Sequence, residues 1–576
     1  MLTIETWLRG IRPNVAIEEC PGWPPDLFAL TGTLIRRSGA YLRLFKRRDP
    51  AAYAQEIHKE GGLWRKELDD IPTDVDETKV SQWLLKVRPE KVFDGWAALI
   101  RQKDRPINAI DASPELAEQL IRLALIADEA SRGMGIRADN KTDSGSDPSR
   151  FLSLADQVLV ENEGRSFCWD VSLESLCVLG KQHTPLKGAT FRSLSHHLAL
   201  YDPGEINAIW YTAIPKTVDE TPAPRGLNLL LLPWPTQVET HHFHELVPLG
   251  PRADNTPPPS YFRYHHPQGP DDLETFRRKL KNALEKARQH AGSIDAIVFP
   301  ELALTQAQYN LAERAAFEAR SILICGVRPD EPQGEWDRNE CVLQVAGAVH
   351  GAKPHVDAEE DLLSGLRLKQ AKHHRWYLDR AQIVTYQLGG ALPAASRGAW
   401  ENVELPERLL HFVTLNPITW AVLICEDLAR QEPAAELIRA VGPNLLIVLL
   451  MDGPQLSNRW PARYAAVLAE DPGSSVLTLT SLGMAERSRP VVGSGVRAPV
   501  SRVIALWRDA IEGEIQIALD PGDDACVLSL EYRDRNQYSA DGRSDQGQTP
   551  VYAGYRSFQS EPPVTFPSPP PAKTAP

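Results

Sequence analysis

The sequence predicts a layered α/β domain in the C-terminal half of a 576-residue chain, preceded by a mainly helical region. Three observations carry this expectation. From about residue 223 onward, short apolar runs alternate with helical stretches, as expected of strands buried on both faces with helices packed outside. Before about residue 138, apolar residues instead recur at spacings of three and four. Between these regions, residues 139–150 are polar and turn-rich, too poor in apolar side chains to pack, and read as a linker.

In the helical region (1–138) the clearest element runs from Ser113 to Ile126, where Ser113 suits a cap, Pro114 the first turn, and Leu116, Leu120 and Leu123 share a face. Residues 151–222 form a mixed connecting region of unknown role. Its Ser193, Ser195, His196 and His197 suggest a serine hydrolase, but no nucleophile-elbow glycines flank the serines, so packing and capping are the expected roles. In the layered domain (223–535) strands are expected at 227–232, 294–299, 322–325, 411–415, 420–424, 445–451 and 475–479. Helices are expected at 271–291, 311–320, 433–440 and 459–470. After residue 536 apolar periodicity fades, and 536–576, ending in the proline-rich stretch 562–576, is expected to be a disordered tail. No fixed-period repeat is visible.

The net charge of -13 opposes attraction to a phosphate backbone, so a nucleic-acid partner is not indicated. Basic runs such as Lys46-Arg47-Arg48 and Arg277-Arg278-Lys279 read as solvated helix faces. Seven cysteines, odd in number and without a CxxC pair, suggest neither a disulfide framework nor a zinc ribbon. The N-terminus lacks a charged leader followed by an apolar core, and the longest apolar runs fall far short of a bilayer span; a soluble cytoplasmic protein without membrane contact is expected. The histidines at 241, 242, 244, 265, 266, 373 and 374 have no carboxylate or cysteine at ligand spacing, so no metal and no cofactor is expected.

The chemistry lies at strand ends. One apolar run delivers Glu301 just past Pro300, and a second ends in Cys425 followed by Glu426-Asp427. Strand ends are where an α/β scaffold holds functional groups firmly yet accessibly. A cysteine there gains reactivity when a cation favours thiolate and a carboxylate takes its proton. Between the two lies the lysine-bearing segment 366–375, with Lys369, Lys372, His373 and His374.

The order strand-Pro-Glu, then Lys-x-His, then Ile-Cys-x-Asp resembles the nitrilase superfamily of carbon-nitrogen hydrolases, over roughly residues 225–535. The downstream 444–450 strand, the Trp460-Pro461-Ala462-Arg463-Tyr464 helix and the 477–483 segment are similar to the elements C-terminal to the cysteine in that family. The resemblance implies an αββα sandwich in which Glu301, Lys372 and Cys425 converge, with Lys369 as the alternative source of the ammonium. It also implies a second carboxylate about two helical turns after the lysine, for which Asp379 is the nearest candidate, an aspartate where glutamate is usual. The long interval between Lys372 and Cys425 points to an insertion around 389–398.

Cys-Glu-Asp is more similar to amidase and glutamine-hydrolysing members than to nitrilases with Cys-Trp-Glu, which favours a small amide as substrate and gives the backbone of Glu426 a supporting role. The resemblance further implies a homo-oligomer joined through the sandwich. Residues 1–222 are the expected contact for a protein partner, and a nitrilase-fold scaffold or effector module in a multi-protein assembly is the alternative function. Residues 184–198 with the C-terminal half also faintly resemble nitrilase-bearing bacterial reverse-transcriptase proteins of antiviral defence, although no Tyr-x-Asp-Asp motif occurs.

Overall fold

The structure is a computed structural model that describes residues 2–561 apart from 47–49, 73–76, 85, 136–148, 186–187, 205, 215–225, 247–259, 267–269, 330–333, 347, 351–364, 393–397, 416 and 494. Among these, two large sheets form the C-terminal body. One has the order Gly365–Ala371, Glu340–Ala346, Ile322–Val327, Ala296–Val298, Gly226–Leu231, Ala525–Tyr538, Ser544–Phe558. The other runs Ala348–His350, Asn207–Ile214, Leu409–Leu415, Ile418–Ile424, Leu445–Leu450, Ser475–Thr480, Val503–Arg508, Glu514–Ala518.

Side-chain alternation sorts the layers. Leu229, Leu231, Ala296 and Val298 join Phe412, Trp420 and Val422 of the opposite sheet in one buried cluster, while Leu230, Ile297, Leu323 and Cys325 face the helices Pro270–Ala291 and Gln306–Ala319. A strand whose odd and even residues are both buried must be covered on both faces, and the result is the αββα sandwich implied by the resemblance. On the second sheet the strands at 445–450 and 475–480 are likewise fully buried, with Trp460–Glu470 packed against Ser475–Thr480.

The expected helices and strands of this half all form, with ends shifted by a few residues. Two boundaries change. Asn207–Ile214, expected in the connecting region, pairs in parallel with Leu409–Leu415 and belongs to the sandwich. Residues 536–561 are no disordered tail, since Ala525–Tyr538 and Ser544–Phe558 pair antiparallel along their whole length. The sequence hides this hairpin because its outer half is polar and half-exposed, so it lacks the apolar run on which strand recognition relies. The stretch 562–576, residues 139–148 of the linker and 393–397 of the insertion lie outside the described residues.

The N-terminal region is helical as expected: Ile4–Ile11, Pro24–Ser38, Pro50–Asp69, Glu77–Leu84, Glu90–Ile100, Pro114–Ala130 and Arg150–Glu161. Pro114–Ala130 is central and buried nearly all round beyond its first turn. Ser113 occupies the cap position, but its hydroxyl makes no cap bond. The same apolar cluster continues from these helices into the sandwich. Among the described residues no helix is long and apolar enough to cross a membrane.

Candidate active site

The strand Ala296–Val298, in the middle of its sheet, runs into Phe299-Pro300 and delivers Glu301 just past its C-terminal end. A Cβ on Gly326 would lie 2.5 Å from Pro300 O and 2.6 Å from Glu301 Cα, so only glycine lets the neighbouring strand pass this turn. Lys372 follows the strand Gly365–Ala371 in the same sheet, and Cys425 ends Ile418–Ile424 in the opposite one. The site thus spans the interface of the two sheets. Cys425 holds φ 46° and ψ -106°, a conformation that costs a non-glycine residue on the order of 1–3 kcal/mol and that the surrounding structure must impose. Its N–H donates to Leu449 O at 2.8 Å, fixing the turn to the adjacent strand.

Lys372 Nζ donates to Glu301 Oε1 at 2.8 Å and to Glu401 Oε2 at 2.6 Å. Asn339 Nδ2 bridges the same two carboxylates, 2.8 Å from each Oε1. The N–H of Met451 donates to Glu301 Oε2 at 2.6 Å, and that of Trp376 to Glu401 Oε2 at 3.0 Å. Glu301, Lys372 and Cys425 are at most 2% exposed.

One ammonium facing two carboxylates leaves an excess negative charge, and the proton affinities reflect it. Burial raises the Glu301 carboxyl above its ordinary value; Lys372 opposes the rise and Glu401 adds to it. Burial works against the Lys372 ammonium, but Glu301 and Glu401 hold it well above the usual lysine value. The Cys425 thiol is pushed well up by burial, then by the charge of Glu301, with Lys372 pulling the other way. A basic carboxylate, a permanent cation and a thiol awaiting deprotonation therefore act on one another.

The residues expected from sequence divide accordingly. Glu301 and Lys372 pair directly, and Cys425 lies within electrostatic range of both. Lys369 does not join them: it is an exposed position of its strand, because alternate residues point to opposite faces and Lys372 lies past the strand's end. Asp379 is not the second carboxylate either. It is exposed and caps the helix Arg380–Thr385, accepting from Gln382 N at 2.7 Å. Glu401, at the end of the strand Gly398–Glu401, takes that place. The intervening segment displaces it along the chain, so a search two turns past the lysine misses it. Glu426 is half-buried and its side chain pairs with Arg430.

Asp427 links the two loops. Its oxygens accept from His373 N, each at 3.1 Å, and Oδ1 lies 3.0 Å from His374 Nδ1. Lys-x-His and Cys-x-Asp thus form one physical clamp. Asp427→Ala leaves the buried His373 N–H without its acceptor and is expected to destabilise the fold by about 1–3 kcal/mol, which urea unfolding measures.

His242, His266, His196 and His197 are held by packing or by backbone bonds, while His241 and His244 are exposed. His242 stacks on His266 with ring centroids 4.0 Å apart, and His196 and His197 donate their backbone N–H groups to Asp128. Ser195 Oγ donates to Leu198 O at 2.7 Å. Among the described residues, no group of three histidine, cysteine or acidic side chains is arranged to hold a metal.

No protein-family model and no curated protein matches the chain. Solved structures similar to it include an amidase from Nesterenkonia sp., 12% identical, with 54% of this chain and 92% of that chain covered and a TM-score of 0.30. Another is Saccharomyces cerevisiae Nit3, a member of branch 10 of the nitrilase superfamily, 12% identical, with 53% and 90% covered and a TM-score of 0.32. A likeness this distant assigns no activity.

Proposed function

We propose that this chain hydrolyses the carbon-nitrogen bond of a small amide through a thioester on Cys425. The observation that carries the reading is the buried Glu301–Lys372–Glu401 arrangement acting on the Cys425 thiol. Glu301 takes the thiol proton and the thiolate sulfur attacks the amide carbonyl. The Lys372 ammonium and the backbone N–H of Glu426 hold the oxyanion, preorganised donors worth ~2.7 to 4 kcal/mol each in a dry site. Glu301 passes its proton to the departing nitrogen and the C–N bond breaks, leaving acyl on sulfur. Water then gives a proton to Glu301, attacks the thioester and releases the acid, and the thiolate recovers the proton.

Two charges held by one lysine suit this cycle. Glu401 keeps Lys372 charged and in place while Glu301 changes protonation. Because the Glu301 carboxyl is raised, turnover is expected to fall as pH drops through a value above its ordinary 4.5, since the protonated form accepts nothing. Ammonia release from a panel of small amides tests the reading. The wild-type chain should release ammonia and Cys425→Ala should release none; equal rates in the two chains would end this mechanism.

A further inference from the structure

One buried acidic group beside this site takes no part in the proposed cycle. Asp452 directly follows Met451, whose N–H is bonded to Glu301, and it is 3% exposed. Its Oδ1 accepts from Tyr386 OH and, at 2.6 Å, from Arg459 Nη2. Arg459 also donates to Tyr386 OH at 3.1 Å. The Oδ2 of Asp452 is buried and has no hydrogen-bond partner among the described residues. Carboxylate oxygens in interiors are almost always paired, so a buried one without a protein donor has room in its bonding for a donor supplied by a ligand or a water.

The surroundings say which kind of group. Tyr386, Trp376, Leu302, Met451 and Met484 belong to one apolar cluster, and Asp452, joined to it through Tyr386 OH, borders that cluster with Arg459 on its other side. Arg459 balances Asp452 in charge, while Lys372 balances only one of Glu301 and Glu401. The site as a whole keeps an excess negative charge; two of its buried acceptors, Asn339 Oδ1 and Asp452 Oδ2, have no donor among the described residues, and of these the carboxylate oxygen is the one that carries charge. The Asp452 charge also raises the Cys425 thiol, which places the carboxylate within electrostatic range of the sulfur.

We infer that Asp452 is a specificity residue: its Oδ2 accepts an N–H from a cationic group on the acyl part of the substrate, so the preferred class is amides bearing an ammonium near the scissile carbonyl. This deepens the hydrolase reading and rests on it. A neutral acyl chain of equal size leaves Oδ2 unpaired, and an anionic one meets the excess negative charge.

The test uses the full-length Cys425→Ala chain, which binds without turnover, with β-alaninamide as the cationic probe and butyramide as its neutral isostere, both titrated calorimetrically at pH 7. Binding of β-alaninamide is expected to be at least about tenfold tighter, and adding Asp452→Asn should bring the ratio near one. Tyr386→Phe, which leaves Oδ2 and its charge, should keep the preference, whereas general loosening of the pocket would erase it in both variants. Equal binding of the two probes, no binding of either, or a preference that survives Asp452→Asn overturns the inference. Selective binding by a wild-type chain that releases no ammonia would sink the hydrolase reading alone. Hydrolysis of butyramide as fast as β-alaninamide would sink the specificity alone.

Discussion

Replacing Lys372 by methionine is expected to stop the proposed amide turnover and to destabilise the sandwich by about 3 to 5 kcal/mol at neutral pH, the usual cost of stripping one partner from a buried ionic group. The ammonium is fully buried and is the cation bonded to both Glu301 and Glu401. Without it, two carboxylates share a buried space in which the remaining donors among the described residues are N–H groups of Asn339, Met451 and Trp376. The lost oxyanion donor alone costs about 100- to 1,000-fold in kcat. The stability penalty should shrink as pH falls, because protonation removes the charges the lysine balanced. Urea unfolding of the two chains at pH 7 and at pH 5 measures this difference.

Arg543→Met is the second large effect, and it acts far from the proposed chemistry. Arg543 sits past the tip of the long C-terminal hairpin and is 4% exposed. It donates to Asp128 at 3.1 Å, Glu129 at 3.0 Å, Asp541 at 2.8 Å and Leu194 O at 2.7 Å. Asp128 in turn accepts the backbone N–H groups of His196, His197 and Leu198. One guanidinium therefore ties the helix Pro114–Ala130, the connecting region and the hairpin together. Its loss strips the guanidinium from buried Asp128 and Asp541, while Glu129 keeps Arg132, again about 3 to 5 kcal/mol, read as a lower unfolding midpoint and faster proteolysis between the N-terminal helices and the sandwich.

Acid should act on the same latch. Despite burial, the Arg543 guanidinium holds the Asp128 and Glu129 carboxyls below their ordinary values. Depressed carboxyls contribute stability that is present above 3.8 and 4.5 and is lost as pH falls through their folded values. Burial likewise lowers His196 from 6.5 to about 3, so the folded state prefers neutral imidazole and stability begins to decline below 6.5. The wild-type chain is expected to lose stability steeply below pH 4.5 and Arg543→Met more gently, which thermal melts across that range record.

Legibility in the sequence depends on how local each signal is. The strands at 420–424 and 445–451 are readable because burial on both faces leaves an unbroken apolar run. Glu301 and Cys425 are readable because each directly ends such a run. Glu401 is not, since its strand is short and its partner in space, Lys372, lies 29 residues earlier across an inserted segment. Asn339 and Asp452 are equally hidden: nothing local marks an amide that bridges two distant carboxylates or an acid with one oxygen unpaired. The outer hairpin escapes because its polar face gives no apolar alternation to read, although its pairing with Gly226–Leu231 makes it part of the core sheet.

The most direct test of the central claim is the mass of the protein after brief exposure to a reactive amide, followed by mapping of the modified peptide. All seven cysteines are buried, so burial alone does not distinguish them. Cys425 is the one ending the strand that faces Glu301 and Lys372, and the expected result is a single acyl adduct on its sulfur, absent in Glu301→Gln. Acyl groups spread evenly over several thiols, or an adduct that forms equally well without the Glu301 carboxylate, would contradict a site in which that carboxylate activates that sulfur.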